Sequence, residues 1–144
     1  MTVILTISIT AIVSASNEIR IMVEGERLYT DVPPRIINGR TMVPIRAVSE
    51  AVGCEVQWNA QDQSIVVNLP SGNATLIMRI NSPVAFAYIE SGSDGSVTEE
   101  ILLVESPPVI INGRTLVPLR FIAEFIGFEV GWDPGSQIVY IYTL

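Results

Sequence analysis

One stretch of this sequence occurs twice, and that repetition constrains the fold more than any other feature. Residues 33–58 recur as residues 107–132, with 16 of the 26 aligned positions identical at a constant offset of 74. An internal repeat of this length indicates two copies of one structural unit. The sequence therefore predicts two tandem repeats, at residues 17–70 and 71–144, and any local structure assigned to one copy must suit the other.

The same short elements follow one another in each copy. Ile-Ile-Asn-Gly-Arg-Thr places an Asn-Gly turn between β-favouring residues, which predicts a type I′ hairpin. A proline suited to the first position of a helix comes next, then apolar residues at helical spacing, then a glycine suited to the left-handed C-terminal position. An alternating strand that ends in Trp completes the motif. The shared motif residues are Asn38, Gly39, Arg40, Pro44, Arg46, Glu50, Gly53 and Trp58 in the first copy, and Asn112, Gly113, Arg114, Pro118, Arg120, Glu124, Gly127 and Trp132 in the second.

Further β-rich segments surround the motif. A hairpin precedes each Pro-Pro pair, a returning strand follows each Trp, and residues 74–80 add one more strand. The hairpin of the second copy has a long loop rich in Gly and Ser, residues 90–100, which we expect to be mobile. Many short antiparallel strands with one short helix per copy predict an α+β fold.

The ionisable residues exclude much of enzyme chemistry. All eight basic residues are Arg, and the chain contains no His and no Lys. It therefore lacks the commonest general base and metal ligand, and also the amine that Schiff bases and phosphate-binding loops require. The single Cys permits no internal disulfide and no thiolate zinc site, and the net charge of −7 disfavours contact with nucleic acid. We expect a protein without cofactor, metal or catalytic residue.

The first sixteen residues carry no charged side chain, and two interpretations of them stay open. Residues 1–16 are mostly apolar and contain Val13-Ser14-Ala15, as in a secretory signal peptide with its cleavage site. They also alternate between apolar and polar residues, which is typical of a strand that a neighbouring subunit can accept. A membrane-spanning helix needs about 20 apolar residues and this run is shorter, so we expect no integral membrane span. The apolar positions of the inter-subunit strand are Val3, Leu5, Ile7, Ile9, Ala11 and Val13.

The repeated motif has the form Pro-Pro-x-Ile-Ile-Asn-Gly-Arg-Thr-x-Val-Pro-x-Arg, followed by Glu, Gly, Glu-Val and Trp. It resembles the copper amine oxidase N-terminal domain-like family, often called stalk domains, over residues 19–69 and 75–144. The resemblance implies that each repeat is a twisted antiparallel β-sheet packed around one short helix, in a secreted or surface protein of bacteria. The catalytic copper domain of those oxidases has no counterpart in this chain, so the resemblance implies no copper chemistry.

Two arginines directly after the Asn-Gly turns are candidates for a site. Arg40 and Arg114 can each clamp an anionic ligand through two N–H groups. Repetition of the whole motif favours a structural role instead, in which each Arg packs its stem on the sheet and bonds local carbonyls or carboxylates. The second Arg of each motif precedes a Glu by four residues on the predicted helix, where we expect an ion pair of small effect.

The remaining candidates lie on the strand that follows each helix. Cys54 aligns with Phe128, and a position that accepts Phe is a packing position rather than a nucleophile. Trp58 and Trp132 share the apolar face of that strand in their two copies. Exposed indole rings stack on sugars, but the apolar face predicts that both rings are buried.

The sequence as a whole favours a non-enzymatic structural or interaction module that is secreted or displayed on the cell surface. Its expected partners are copies of itself or other cell-surface components. If the N-terminal strand is retained and pairs with a neighbour, the chain is an extracellular filament subunit. The alternative from a different class is a module that binds the cell wall or a polysaccharide.

Overall fold

The computed structural model describes residues 18–143, so the expected signal peptide or donor strand at residues 1–16 lies outside the described residues. The described residues form an α+β fold of thirteen strands and two short helices. In chain order the elements are β1 (Arg20–Val23), β2 (Glu26–Leu28), β3 (Arg35–Ile37), β4 (Arg40–Pro44), α1 (Ile45–Ala51), β5 (Glu55–Asn59), β6 (Ser64–Asn68), β7 (Ala74–Arg79), β8 (Val84–Ser91), β9 (Ser96–Leu103), β10 (Val109–Ile111), β11 (Arg114–Pro118), α2 (Leu119–Ile126), β12 (Phe128–Asp133) and β13 (Ile138–Thr143).

The strands form three sheets. The meander sheet has the order β5-β6-β7-β8-β9, and each strand is antiparallel to the next. The mixed sheet has the order β12-β13-β1-β2, and its β13 and β1 pair in parallel. The central sheet has the order β10-β11-β4-β3 and is antiparallel. Every one of the three sheets combines strands from both halves of the chain.

This arrangement differs from the expectation that each repeat packs its own sheet around its own helix. The hairpin β5–β6 of the first half joins β7, β8 and β9 of the second, while the hairpin β12–β13 of the second half joins β1 and β2 of the first. The expected boundary after residue 70 falls in the turn between β6 and β7, which are hydrogen-bonded neighbours. The reason is that strands form hydrogen bonds across the two halves, and local sequence does not determine which strands become neighbours.

The two halves meet at equivalent positions of the sequence repeat. In the pairing of β4 with β11, Val43 lies opposite Val117, which is its own counterpart 74 residues later. On either side, Met42 lies opposite Pro118 and Pro44 opposite Leu116, so the pairing is the same when the halves are exchanged. This is the geometry of an isologous two-fold interface, formed here within one chain.

Both helices contribute to cores that contain residues of the other half. In the core over the meander sheet, Ile122 of α2 packs with Ile45, the first residue of α1. In the core over the mixed sheet, Val48 of α1 packs with Leu119, the first residue of α2. A third cluster, built around Met42 and Leu116, lies against the central sheet. The two halves are therefore interlocked by helix starts as well as by strands.

The predicted helix begins one residue later than expected. Pro44 and Pro118 are N-cap residues with extended backbone, at ψ 113° and 120°, rather than the first helical residues. Each proline still belongs to its strand in the central sheet, which holds it out of the helical conformation. At the other end, Gly127 ends α2 with φ 98°, as the sequence predicts for a left-handed cap.

The Asn-Gly turns have the predicted backbone conformation. Asn38 and Gly39 have φ 51° and 73°, and Asn112 and Gly113 have φ 50° and 75°, so both residues of each turn lie in the left-handed region that a type I′ hairpin requires.

The long loop expected at residues 90–100 is largely absent from the described chain. Instead β8 continues to Ser91 and β9 begins at Ser96, so only four residues turn the chain. The carboxylate of Asp94 accepts a hydrogen bond of 3.0 Å from the backbone N–H of Ser96, which closes this turn. The expected length of the loop was wrong because Gly and Ser composition does not reveal that the flanking residues pair in register.

Truncation of Leu116 at the centre of the third cluster is expected to destabilise the whole chain. Its side chain is fully buried, so Leu116→Ala should lower the free energy of unfolding by about 2–5 kcal/mol. The matched control is Leu103→Ala, since Leu103 is 72 % exposed and its truncation should change stability by less than about 0.5 kcal/mol. Urea unfolding followed by circular dichroism measures both, and equal effects would contradict the described core.

The interlocked halves should not fold separately. We expect residues 18–70 and residues 71–143, produced as separate chains, to lack cooperative urea unfolding as monomers, because each core needs side chains from both. The intact chain should unfold in one transition that is the same by fluorescence and by circular dichroism. Cooperative unfolding of either fragment at a concentration where it is monomeric would show that the halves are independent.

Candidate functional site

Two clefts of about 530 and 690 Å³ open on the surface of the described chain. In cleft 1, the hairpin β3–β4 of the first half faces α2, β12 and β13 of the second. In cleft 2, the hairpin β10–β11 of the second half faces α1, β5 and β6 of the first. Neither cleft is complete in one half of the chain.

The two clefts have the same design. Each residue that lines cleft 2 lies 74 positions from a residue that lines cleft 1, and Leu103 is the one additional residue in cleft 1. The correspondence follows from the central sheet, because the pairing of Val43 with Val117 presents each hairpin to the helix of the other half. The duplication in the sequence thus becomes a duplicated site.

Each cleft contains one half-exposed tryptophan. Trp132 lies in cleft 1 and Trp58 in cleft 2, and both side chains are 41 % exposed. The expectation that both rings are buried was wrong. The alternation of apolar and polar residues along β5, from which burial was predicted, does hold closer to the helix, where Val56 is 7 % exposed. Since β5 and β12 are edge strands, a large ring near the end of either strand has a neighbouring strand on one side only.

The arginines that follow the Asn-Gly turns bond across the two halves. Arg40 forms an ion pair with Glu105 in cleft 1. In cleft 2, Arg114 donates from Nε and Nη2 to the same oxygen of Asp31, at 2.9 and 2.5 Å. The expected structural role included nearby carboxylates, but the partners come from the other half of the chain. Sequence reasoning missed both acids, although each lies two residues before a Pro-Pro pair, and that shared position was an available signal.

Each cleft also contains the ion pair predicted along its helix. Arg46 donates to Glu50 at 3.2 Å and to the carbonyl of Val56 at 3.1 Å, and Arg120 lies 3.8 Å from Glu124. Their side chains are all more than half exposed, so these pairs contribute little to stability. Their arrangement matters more for what the cleft presents to a ligand.

The charges in each cleft are balanced. Two guanidinium groups and two carboxylates line each one, with net charge zero. The hydrogen bond from Arg114 holds the pKa of Asp31 below its ordinary value, so this carboxylate is ionised at neutral pH. Beneath the charged groups the floor is apolar, formed by Val56 and Ile65 in cleft 2 and by their counterparts in cleft 1. The clefts therefore offer an aromatic face with hydrogen-bond donors and acceptors.

The other motif residues have structural positions. Asn38 and Asn112 form the turns, while Gly53 and Gly127 follow the helices with positive φ. Cys54 is buried in the core over the meander sheet, as its alignment with a Phe predicted, and burial raises the pKa of its thiol. Within residues 18–143, no three His, Cys, Asp or Glu side chains gather into a group able to bind a metal ion.

The two halves thus build one α+β domain with a pair of matched clefts. The family model for the copper amine oxidase N-terminal domain matches residues 22–141 as one domain. The chain therefore belongs to the copper amine oxidase N-terminal domain family, whose domain is a non-catalytic, stalk-like one. A single match spans both halves, in keeping with sheets that neither half completes.

Among curated proteins, the chain is similar to a Brevibacillus choshinensis protein named protease inhibitor. The two are 29 % identical over 90 residues, which cover 62 % of this chain and 24 % of that protein. The match thus spans about a quarter of the relative's length. No solved structure matches the chain. None of the helices among the described residues is long and apolar enough to cross a membrane.

The ion pair between Arg114 and Asp31 predicts that the stability of the fold depends on pH in the acidic range. The pKa of Asp31 is lower in the folded state than in the unfolded chain. The ionised Asp31 therefore contributes fully to stability above the unfolded pKa, near pH 4. This contribution is lost as the pH falls through the folded pKa. Arg114→Gln should raise the pKa of Asp31, as measured by a carbon-detected NMR titration of its carboxyl group. Arg120→Gln, in the other cleft, should leave that pKa unchanged, and an equal shift in both variants would contradict the assigned bond.

Proposed function

We propose that this chain is a non-enzymatic structural module, secreted or displayed on the cell surface, that associates with copies of itself. Membership of a family of stalk-like domains supports this role. The balanced ion pairs of the clefts support it as well, since each carboxylate there is bonded to or lies close to an arginine instead of facing a second carboxylate. The protease inhibitor name belongs to the Brevibacillus protein, and the chain covers too little of that protein to transfer the activity.

The observation that carries self-association is the outer edge of β9. Among the described strands β9 pairs only with β8, so its other edge has no strand partner. With eight residues, β9 is longer than the other edge strands of the three sheets. Val97, Ile101 and Leu103 are 62–72 % exposed and lie on one side of the strand, which they share with the exposed Glu99. A long edge with exposed apolar residues is a site for strand addition.

The proposed occupant of this edge is the N-terminal strand of a second copy, residues 3–13. Its apolar and polar residues alternate, so as a strand beside β9 it would extend the side formed by Val97, Ile101 and Leu103, and it carries no charged side chain that would oppose the pairing. A second β9 is a poorer partner, because Glu99 and Glu100 at the middle of the strand would then approach their own copies. Strand addition from one copy to the next gives a head-to-tail filament.

Binding of the cell wall or another polysaccharide is the second candidate function. The half-exposed rings of Trp58 and Trp132 favour it, since an exposed indole face in a cleft is a surface on which a sugar ring can stack. This candidate is compatible with self-association because the clefts and the outer edge of β9 are different surfaces, with Leu103 as the one residue they share.

The family domain is itself best understood as a duplicated unit. The identities between residues 33–58 and 107–132 support this, as does the pairing of Val43 with its own counterpart Val117. An ancestral unit with one motif would have formed the same interface between two chains. Fusion of two such chains then gives the interlocked fold.

Self-association should depend on both the N-terminal segment and β9. We expect the full chain to form polymers in light scattering and electron microscopy, and deletion of residues 1–16 to leave monomers. Ile101→Lys should also prevent assembly, because it places a cation on the apolar side of the edge. Tyr29→Lys is the matched control: Tyr29 is 75 % exposed but lies outside β9, so assembly should persist.

The intact mass of the native protein provides an independent test. Retention of the N-terminal segment in the native protein is required for strand exchange between copies. A native mass that lacks about fifteen N-terminal residues would contradict strand exchange and identify the segment as a cleaved signal peptide. Polymers that survive the deletion would show that a different surface mediates assembly.

A further inference from the structure

We propose that clefts 1 and 2 are two equivalent binding sites for a neutral carbohydrate, so that one chain binds two sugar segments. This inference rests on the second candidate function and adds to it the location, the number and the charge class of the sites. Apart from Leu103, which belongs to cleft 1 and to β9, the clefts and the surface proposed for self-association are separate.

The indole rings provide the stacking surfaces. Trp58 and Trp132 occupy the same strand position and are exposed to the same extent, 41 %. Neither is an isolated surface residue, since each lies in a concave site with an apolar floor. One face of a sugar ring carries mainly C–H groups, which pack on an aromatic ring and exclude water from it. A concave, partly apolar site with a few oriented polar groups is the usual form of a small-ligand site.

The ion pairs provide the hydrogen bonds. Each guanidinium carries five N–H donors and each carboxylate has about four acceptor positions, so their mutual bonds leave both with further capacity. In cleft 2, Arg46 and Arg114 bring donors, and Glu50 and Asp31 bring acceptors. A sugar hydroxyl both donates and accepts, and neighbouring hydroxyls on a ring match the two-pronged geometry of both groups. Cleft 1 repeats this set with its counterparts.

Charge decides between neutral and anionic sugars. Each cleft has net charge zero, and the chain carries a net charge of −7. A polymer of uronic acids or phosphates would be repelled by the chain as a whole and would find no unpaired cation in either cleft. A neutral polysaccharide meets neither obstacle.

The sequence offers a reporter for each site separately. The chain contains two tryptophans, one in each cleft. In Trp58→Phe all indole fluorescence comes from cleft 1, and in Trp132→Phe it comes from cleft 2. Cellohexaose, chitohexaose and xylohexaose are the probes. With at least one of them we expect the emission of both variants to shift to shorter wavelength, as the sugar excludes water from the remaining ring.

Calorimetry then counts the sites. The full chain should bind two hexasaccharide molecules, Trp58→Ala and Trp132→Ala one each, and the double Ala variant none. Tyr29→Ala removes an exposed aromatic ring outside the clefts and should leave two sites. Circular dichroism of each variant shows that it is folded, and the Phe variants keep an aromatic face where an Ala variant fails to fold. Polygalacturonate should produce no fluorescence change.

The outcomes separate this inference from the function on which it rests. Binding that survives the double Ala variant, or one site in the full chain, overturns the paired clefts but leaves polysaccharide binding intact. Binding of polygalacturonate alone overturns the neutral class. A full chain that binds none of the three hexasaccharides, and is not retained on cellulose, chitin or xylan, overturns both the inference and the second candidate function.

Discussion

The structure depends on the hydrogen-bonded pairing of β4 with β11. This contact places Val43 opposite its own counterpart Val117 and joins the two halves about a pseudo-two-fold axis. Both strands are buried at their ends nearest the helices, and their side chains enter three different hydrophobic clusters. Because the pairing is the same when the halves are exchanged, it fixes the relative position of both helices at once. An ordinary linker between two domains would not impose this.

The paired clefts are a direct result of that constraint. Each combines a turn and an arginine from one half with a helix, a tryptophan and an edge strand from the other. The cross-half ion pairs of Arg40 with Glu105 and Arg114 with Asp31 connect the same surfaces. These pairs are exposed and add little to stability, but they place a guanidinium group and a carboxylate from different halves side by side in each cleft. The pairing of β4 with β11 therefore determines both the fold and the position of the two clefts.

Local features of the fold were predictable from sequence because they depend on neighbouring residues. The Asn-Gly turns require positive φ at both positions, and Gly127 ends its helix in the left-handed conformation for the same reason. The burial of Cys54 followed from its alignment with a Phe. In contrast, the start of the helix shifted by one residue because Pro44 remains in a strand whose partner lies 72 residues away, at Leu116. Long-range pairing altered a local boundary that the motif alone defines differently.

In the candidate site, too, the features that depend on neighbouring residues were predictable and those that depend on long-range packing were not. Sequence spacing alone identified the helical pairs of Arg46 with Glu50 and of Arg120 with Glu124, since i and i+4 are neighbours on any helix. It did not reveal that Trp58 and Trp132 are half-exposed, because alternation reports which face a residue lies on but not whether that face continues to the end of an edge strand.

Amino-acid sequence was sufficient to identify a duplicated β-turn–helix–strand motif, the absence of His and Lys, and the family that the motif resembles. Those properties depend on residue types and on the order of residues within one 26-residue motif that recurs. The folded chain was needed to reveal that the two motifs interlock, that each sheet takes strands from both halves and that two matched clefts result. The physical reason is that backbone hydrogen bonds between strands are chemically alike along the chain, so the choice of partner depends on how all apolar faces are buried together.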